Sequence, residues 1–288
     1  MARTPARSLP PIPAVLIAIV SVQGGAAIAK GLFPVLGAAG TAGVRIGLSA
    51  LMLLAAFRPP LRQLTAAQWR AVVPYGITLG AMNVLFYLSL ARIPLGLAVT
   101  LEFIGPLGVA VAGSRRALDL VWVLLAGAGI ALIAPWTANG VDPLGAAYAL
   151  AAGGCWAAYI VLGGRLSRML PGGAAVASGM IVATLTILPF AIGGGGLMQL
   201  TPALLVAGAF VALLSSALPY TCEMIALRSM PARTFSIFMS LEPAVAALCG
   251  LAFLSEHLGG VQWLSVALVI AASAGAALSS PDPAHEPA

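Results

Sequence analysis

Long apolar stretches follow one another along nearly the whole chain, each bounded by proline, glycine or a charged residue. Each approaches the roughly 20 residues that an α-helix needs to cross the hydrocarbon core of a bilayer. Ten such stretches run over 13–33, 38–57, 71–91, 95–113, 118–136, 144–163, 173–193, 203–227, 233–254 and 260–279. The pattern predicts an all-α integral membrane protein with ten transmembrane helices and a disordered tail over 281–288.

The composition agrees with this fold class. Of the 288 residues, 14 are Lys or Arg and 8 are Asp or Glu, while 61% are hydrophobic. A soluble protein usually has about 25% charged residues. The deficit excludes an ordinary soluble enzyme, and the short loops between the stretches leave no room for a soluble domain.

The common signatures of cofactor and metal chemistry are missing from the sequence. It contains no GxxxxGK[ST] phosphate loop, no HExxH motif and no cysteine–histidine cluster at metal-ligand spacing. The net charge of +6 is spread over the loops, and no basic run exceeds the pair Arg115 and Arg116. We therefore expect no enzyme activity, no cofactor, no metal and no nucleic-acid partner.

The positions of the arginines predict the orientation in the membrane. Positively charged residues concentrate in cytoplasmic loops. When the ten spans are threaded with the N-terminus inside, eleven arginines lie on the cytoplasmic side, whereas only Arg92 and Lys30 lie outside. We expect a multi-pass protein of the bacterial inner membrane with both termini in the cytoplasm.

Two segments recur 137 residues apart. LARIP at 90–94 corresponds to LRSMP at 227–231, and the same offset carries Pro106 onto Pro243. Chance recurrence in a chain with 21 prolines is the alternative. A true repeat would have five helices in each half, and because five is odd, the second half would lie inverted in the membrane.

Inverted repeats indicate a carrier, since two similar packings of the halves can open a central site to opposite sides. The predicted halves are 1–139 and 140–280. Proline inside a span interrupts the helix and frees carbonyl groups. The candidate flexing points for such a motion are Pro94, Pro106, Pro231 and Pro243.

Ionisable residues inside a span are costly and are therefore functional candidates. Lys30 is the only lysine and lies seven residues after Gln23, on the same face of the first helix. Its ammonium group suits a carboxylate ligand, with Gln23 beside it. Alternatively, Lys30 extends to the outer membrane interface.

Two glutamates lie deep in their spans and need partners. Glu102 and Glu242 could each receive a substrate ammonium group or carry a coupling proton, or could form structural pairs with Arg45, Lys30 or freed backbone amides. Glu223 lies near the inner end of its span, where it could act at a cytoplasmic gate or occupy an interfacial position.

Polar and aromatic residues at helical spacing are candidates for lining a cavity. Asn83 and Tyr87 share one helix face, as do Trp156 and Tyr159. Asn83 is a candidate for the substrate carboxylate, and the aromatic residues would set the size of the cavity together with Tyr220. Such residues also occur as core or membrane-interface residues.

Several segments, which include the costly polar positions, resemble the drug/metabolite transporter superfamily with its paired EamA domains, and in particular its threonine/homoserine exporter branch. They are SVQGGA at 21–26, GAMN at 80–83, FYLS at 86–89, LEF at 101–103 with GP at 105–106, CWA at 155–157, ALPY at 217–220, EMIAL at 223–227, RTF at 233–235 and MS at 239–240 with EP at 242–243. Aromatic amino-acid exporters of the same superfamily are similar in architecture.

The resemblance implies an inner-membrane exporter of small amino acids, driven by the proton gradient and working by alternating access. Methionine and aromatic amino acids remain possible substrates. The alternatives are an exporter of other metabolites or drugs, a pore, or a permease subunit. The expected partners are the amino-acid substrate and membrane lipid, and the chain could act as a monomer.

The sequence predicts that Glu102→Gln and Lys30→Ala each reduce transport in liposomes while leaving membrane insertion intact. Each variant removes a charge that a substrate or a proton would use. Unchanged transport in both variants would contradict the idea that these two charges hold the substrate.

Overall fold

The computed structural model describes residues 10–112, 117–133, 141–170, 172–219, 222, 226, 235 and 238–279. Within these residues the secondary structure is helical and contains no strand. The eleven described helices are α1 Pro11–Gly31, α2 Phe33–Phe57, α3 Ala66–Leu90, α4 Leu95–Glu102, α5 Ile104–Ala112, α6 Ala117–Ile133, α7 Pro143–Leu166, α8 Gly172–Gly193, α9 Pro202–Ala212, α10 Glu242–Leu254 and α11 Gly260–Ser279.

Five of these helices, namely α1, α2, α3, α7 and α8, are long and apolar enough to cross a membrane. Large apolar side chains such as Leu124, Leu185 and Phe253 are exposed on the outside of the bundle, where lipid rather than water would contact them. The all-α membrane fold class is thus confirmed. A described helix lies in each of the ten predicted stretches, although the count of ten membrane crossings stays a prediction.

The stretch predicted as one helix over 95–113 is in fact two helices. The interruption falls at Phe103, between α4 and α5. Pro106 has no N–H group to donate to the carbonyl of Glu102, the residue four positions earlier, so the helical ladder loses a bond at this point. A second turn falls at residues 240–241, just before Glu242 begins α10.

Side chains at three helix starts explain where those helices begin. Thr65 and Gln68 form a reciprocal capping box at α3. The carboxylate of Asp142 accepts from the amides of Leu144 and Gly145 at α7. The hydroxyl of Thr201 caps α9 in the same way.

Small residues allow close packing between helices. In lipid there is little hydrophobic drive for association, so packing relies on close backbone approach. A Cβ added at Gly80 of α3 would lie 2.8 Å from Thr186 of α8, and one added at Gly96 of α4 would lie 2.6 Å from Ala247 of α10. Between α6 and α11, Ser265 donates a 2.7 Å hydrogen bond to the carbonyl of Gly129.

The backbone is packed most tightly where α4 is interrupted. A Cβ added at Gly153 of α7 would lie 2.6 Å from the carbonyl oxygen of Glu102, and one added at Gly105 would overlap the carbonyl of Gly153. A side chain at residue 153 would therefore push α7 away from the interruption.

We predict that Gly153→Ala lowers the apparent melting temperature of the protein in detergent, because overpacking costs about 1–3 kcal/mol. Gly154→Ala is the matched control, since an added Cβ there meets no described atom within 4 Å. Tryptophan fluorescence during heating measures both variants. Equal melting temperatures for the two would contradict the packing described here.

A second prediction concerns Asp142, outside the membrane-spanning segments. The hydrogen bond from Arg92 (2.9 Å), followed by the one from the amide of Gly145, lowers the pKa of Asp142 below its usual range. A carboxyl whose pKa is lowered on folding stabilises the fold above its unfolded-state pKa of about 3.9, and loses this effect as the pH falls through the folded-state value.

Asp142→Asn keeps a capping residue but removes the charge. We expect the variant to melt below the parent protein near neutral pH, and the difference to shrink as the pH falls below about 4. Other acidic groups titrate in both proteins and cancel in the comparison. A difference that persists undiminished at about pH 3 would show that the charge is not responsible.

Candidate functional site

A half-buried arginine lies near the middle of α2. The guanidinium of Arg45 donates to the hydroxyl of Tyr87 (3.1 Å) and to the carbonyl of Ser215 (3.5 Å), and its Cζ lies 5.4 Å from the centre of the Tyr87 ring. A cation at this depth needs such partners, because lipid cannot solvate it. Tyr87 and Ser215 come from different halves of the chain, so Arg45 lies between them.

Two buried carboxyl groups interact with each other, and one of them, Glu102, also interacts with Arg45. Glu102 is the last residue of α4 and Glu242 the first of α10, and they are 7% and 5% exposed. Glu242 and Arg45 are the charged groups that act electrostatically on Glu102. Together, Arg45, Glu102 and Glu242 are referred to below as the charge cluster.

The helix ends affect the two carboxyls differently. Glu242 lies in the first turn of α10, where the helix dipole favours negative charge, whereas Glu102 lies at the last residue of α4, where the dipole opposes it. The two groups therefore differ in how well their surroundings tolerate ionisation, although both belong to one electrostatic unit.

A π-helical segment, Leu213–Ala217, continues α9 and faces the cluster. Such segments shift the helix register and are frequent at functional sites. The hydroxyl of Ser21 in α1 donates to the carbonyl of Leu214 (2.5 Å), and Ser49 in α2 bonds Ser216 (3.0 Å). These bonds join α1 and α2 to the π segment beside Arg45.

Four buried side-chain atoms in the described part of the chain have no hydrogen-bond partner: Oε1 of Gln23, Nε of Arg45 and the hydroxyl oxygens of Ser89 and Ser178. Gln23, which is only 2% exposed, is a predicted site residue, and Arg45 belongs to the charge cluster. Buried polar atoms are normally paired, and an unpaired one in a native fold calls for a reason. A bound ligand or water beside Gln23 or Arg45 would satisfy the unpaired atom of that residue.

One predicted site residue contacts the cluster, and two others lie near it along the helices. Tyr87 is fully buried and holds Arg45, and Asn83, one turn earlier, donates to the carbonyl of Leu79 in its own helix (2.8 Å). Trp156 packs edge-on against Phe103, with ring centroids 5.4 Å apart, next to the interruption of α4. Their contact with substrate stays a prediction.

Tyr159 lies against a different feature. It stacks on Tyr75, with centroids 5.0 Å apart, and lines a cavity of about 270 Å³ between α3, α7 and α8. No member of the charge cluster lines this cavity. The structure therefore does not bring Tyr159 into the same site as Arg45.

Lys30 is also held elsewhere. Its ammonium group contacts the carboxylate of Glu256 (2.5 Å) and donates to the carbonyl of Ile93 (3.0 Å). The partner that the sequence suggested for Lys30, a carboxylate, is thus supplied by the protein in this structure. A role for Lys30 in substrate binding stays a prediction.

Of the predicted site residues, the cavity-lining Tyr220 and the gating candidates Glu223 and Pro231 lie outside the described residues. Pro94 precedes the first turn of α4, Pro106 lies in the first turn of α5 and Pro243 is the second residue of α10. Each of these three prolines thus lies at a helix end, where a hinge would have to act. Flexing at these points stays a prediction.

Sequence reasoning named Arg45 only as a structural partner for the glutamates and did not identify Ser215 or the π segment. The position of a lone arginine in the middle of an apolar stretch was the available signal for Arg45. A π segment has no comparable signature, because Leu213–Ala217 is apolar and small like the rest of its span.

The bundle of apolar helices, with Glu102 and Glu242 buried at helix ends, has the features of a multi-pass membrane transporter. The profile of the EamA-like transporter family matches residues 143–278. The chain is 45% identical over 278 residues to the Threonine/homoserine exporter RhtA of Salmonella typhimurium, covering 95% of this chain and 94% of the relative. For the protein of the same name from Escherichia coli, the identity is 45% over 271 residues, with coverage of 93% and 92%.

The chain therefore belongs to the EamA-like transporter family of the drug/metabolite transporter superfamily, and the resemblance inferred from its motifs is confirmed. A solved crystal structure matches with a TM-score of 0.62 at 18% identity, covering 96% of this chain and 98% of the solved one. At this identity the likeness concerns the fold alone.

Proposed function

We propose that this protein is a threonine/homoserine exporter of the bacterial inner membrane, working as a secondary-active carrier. The observation that carries the proposal is the near full-length similarity to two exporters of that name. The similarity includes the spans that hold the charge cluster, so the chemistry of the site and the identity of the relatives support the same conclusion.

The charge cluster suits an amino acid, which presents a carboxylate and an ammonium group a few ångströms apart. Arg45 has a donor, Nε, that no described protein group occupies, and guanidinium groups bind carboxylates in a fork geometry. We assign the substrate carboxylate to Arg45. The ammonium group then faces Glu242 or the open acceptor of Gln23.

Glu102 is the stronger candidate for the coupling proton. It lies beside a second carboxyl and at the helix end that opposes negative charge, so its ionised form depends on Arg45. The substrate ammonium group, placed beside the two carboxyls, would favour the ionised form of Glu102 and expel its proton. Substrate and proton would then occupy the site in turn, as proton-driven export requires.

We further propose ten transmembrane helices in two inverted halves, 1–139 and 140–280. In an inverted repeat, the helix contacts should stay the same when each helix is replaced by its counterpart in the other half. The contacts support such a repeat: counterparts pack on each other in the pairs α2 with α8, α4 with α10 and α6 with α11, and the pairing of α3 with α7 recurs as α9 with α1. The interruptions at residues 103 and 240 are 137 residues apart, the offset of the sequence repeat. The family profile covers the second half.

Alternating access would follow from rocking of these halves around the charge cluster, with both termini in the cytoplasm. We propose threonine and homoserine as the main substrates, and methionine and aromatic amino acids as possible further ones. Saturable counterflow of labelled threonine in liposomes without ATP would support the carrier. Flux that does not saturate would indicate a pore, and failure of the whole amino-acid panel would indicate another substrate class.

Variants of the charge cluster separate binding from coupling. Arg45→Gln is expected to weaken threonine binding about 10- to 100-fold, as expected from losing a charged hydrogen bond worth about 1.5–3 kcal/mol. It should therefore lower both counterflow and proton-driven transport. Glu102→Gln should abolish the response to an imposed pH gradient but retain counterflow, because exchange needs no net proton movement.

Asp142→Asn is the matched control, since it makes the same carboxyl-to-amide change outside the spans. It should leave both activities unchanged. Loss of counterflow in Glu102→Gln with normal binding of threonine would contradict the proton assignment, and unaltered threonine affinity in Arg45→Gln would contradict the carboxylate assignment.

A further inference from the structure

One carboxylate ties three elements together at the end of the bundle where α1 finishes. Glu256, in the loop between α10 and α11, accepts from the ammonium of Lys30 through Oε1 (2.5 Å) and from the backbone amide of Leu95 through Oε2 (2.7 Å). Lys30 donates in addition to the carbonyl of Ile93 (3.0 Å). Lys30, Ile93 and Leu95 belong to the first half of the chain, and Glu256 to the second.

The local sequence sets Glu256 in this position. Helix α10 ends at Ser255 with a left-handed backbone (φ 55°), and the amide of Glu256 turns back to the carbonyl of Gly250 (3.1 Å). The Oε2 atom lies only 2.6 Å from where a Cβ on Gly250 would be. Any side chain at residue 250 would therefore displace the carboxylate.

The start of α4 depends on the same carboxylate. Pro94 precedes the helix and offers no side chain that caps it, so among the described residues Glu256 is the side chain that satisfies the first amide, Leu95. A negative charge at this end also suits the helix dipole. Release of Glu256 would thus loosen α4, the helix that carries Glu102 at its other end.

We propose that Lys30, Glu256 and the start of α4 form a latch that closes the outer end of the substrate pathway and must open for release. The proposal rests on the proposed function, because the latch acts between the rocking halves. The side chains of Lys30 and Glu256 are 21% and 14% exposed, so they are shielded while closed and can be hydrated once parted.

An ion pair suits a contact that must break repeatedly. Its Coulomb attraction is largely offset by the desolvation of both charges, so separating the groups into water costs little net free energy. The second described ion pair at this end, Arg92 with Asp142, is more exposed and caps α7 instead of α4. The Arg92–Asp142 pair therefore serves as a control for the Lys30–Glu256 pair.

The first test measures access and needs no substrate. In a protein whose native cysteines are replaced, Ser215→Cys places a reporter thiol beside Arg45, and a membrane-impermeant maleimide is added from the outer side of spheroplasts. We expect slow labelling with the latch intact. Glu256→Gln, which loses the ion pair but can still accept from Leu95, should raise the rate several-fold, and Glu256→Ala should raise it further.

Asp142→Asn is the control for general loosening of this end and should leave the labelling rate unchanged. Equal labelling rates in the parent and in Glu256→Ala would overturn the latch. An equal increase in Asp142→Asn would overturn it as well, because the effect would then not be specific to Glu256.

The second test cross-links the two side chains of the latch. Lys30→Cys with Glu256→Cys, linked by a short reducible bifunctional thiol reagent, should lose the threonine counterflow that the unlinked double variant retains. Reduction should restore counterflow to the level of the unlinked double variant, while labelled threonine still binds to the linked protein in detergent. A linked Thr65→Cys and Gln68→Cys pair, within one half, is the control and should remain active. Continued counterflow by the linked latch would overturn the proposal. Absence of threonine binding by the parent protein would instead count against the proposed function, and the labelling test would still decide the latch.

Discussion

The hydrocarbon interior of a membrane can solvate neither a charge nor an unpaired backbone amide, and this constraint organises the protein. Helices satisfy the backbone along most of the chain. Where α4 is interrupted at Phe103, the freed backbone is packed against Gly153 of α7 rather than exposed to lipid. Every charge that remains inside must find partners in the protein, and Arg45 finds them across the boundary between the halves.

The same constraint connects structure to transport. In the proposed mechanism, a charge that is tolerated only because of its partners responds when a substrate comes beside it, so the charge cluster would couple the binding of an amino acid to the release of a proton. At the end of the bundle the balance differs, since Lys30 and Glu256 lie where water can reach them after separation. A contact there can be closed and opened at low cost, which the interior does not allow.

The sequence predicted correctly those features that depend only on residues close together in the chain. Glu102 and Glu242 were identified because a carboxyl deep in an apolar stretch is costly wherever the helix is placed, and both are buried. The prediction of a single helix over 95–113 was wrong, because the apolar pattern does not reveal the backbone hydrogen bond to Glu102 that is lost at Pro106. Lys30 suited a carboxylate, yet the sequence offered no means to see that Glu256, 226 residues away, would supply it.

The fold class, the family and the short list of interior charges follow from the amino-acid sequence, since each depends on hydrophobicity, composition or motifs along the chain. Which of those charges meet depends on the packing of the helices. The closeness of Glu102 to Arg45 and to Glu242 depends on contacts between distant segments. The presentation of the Ser215 carbonyl by the π segment and the separation of Lys30 from this cluster depend on such contacts as well. Such contacts arise from the close approach of backbones at small residues, and the chain does not encode them locally.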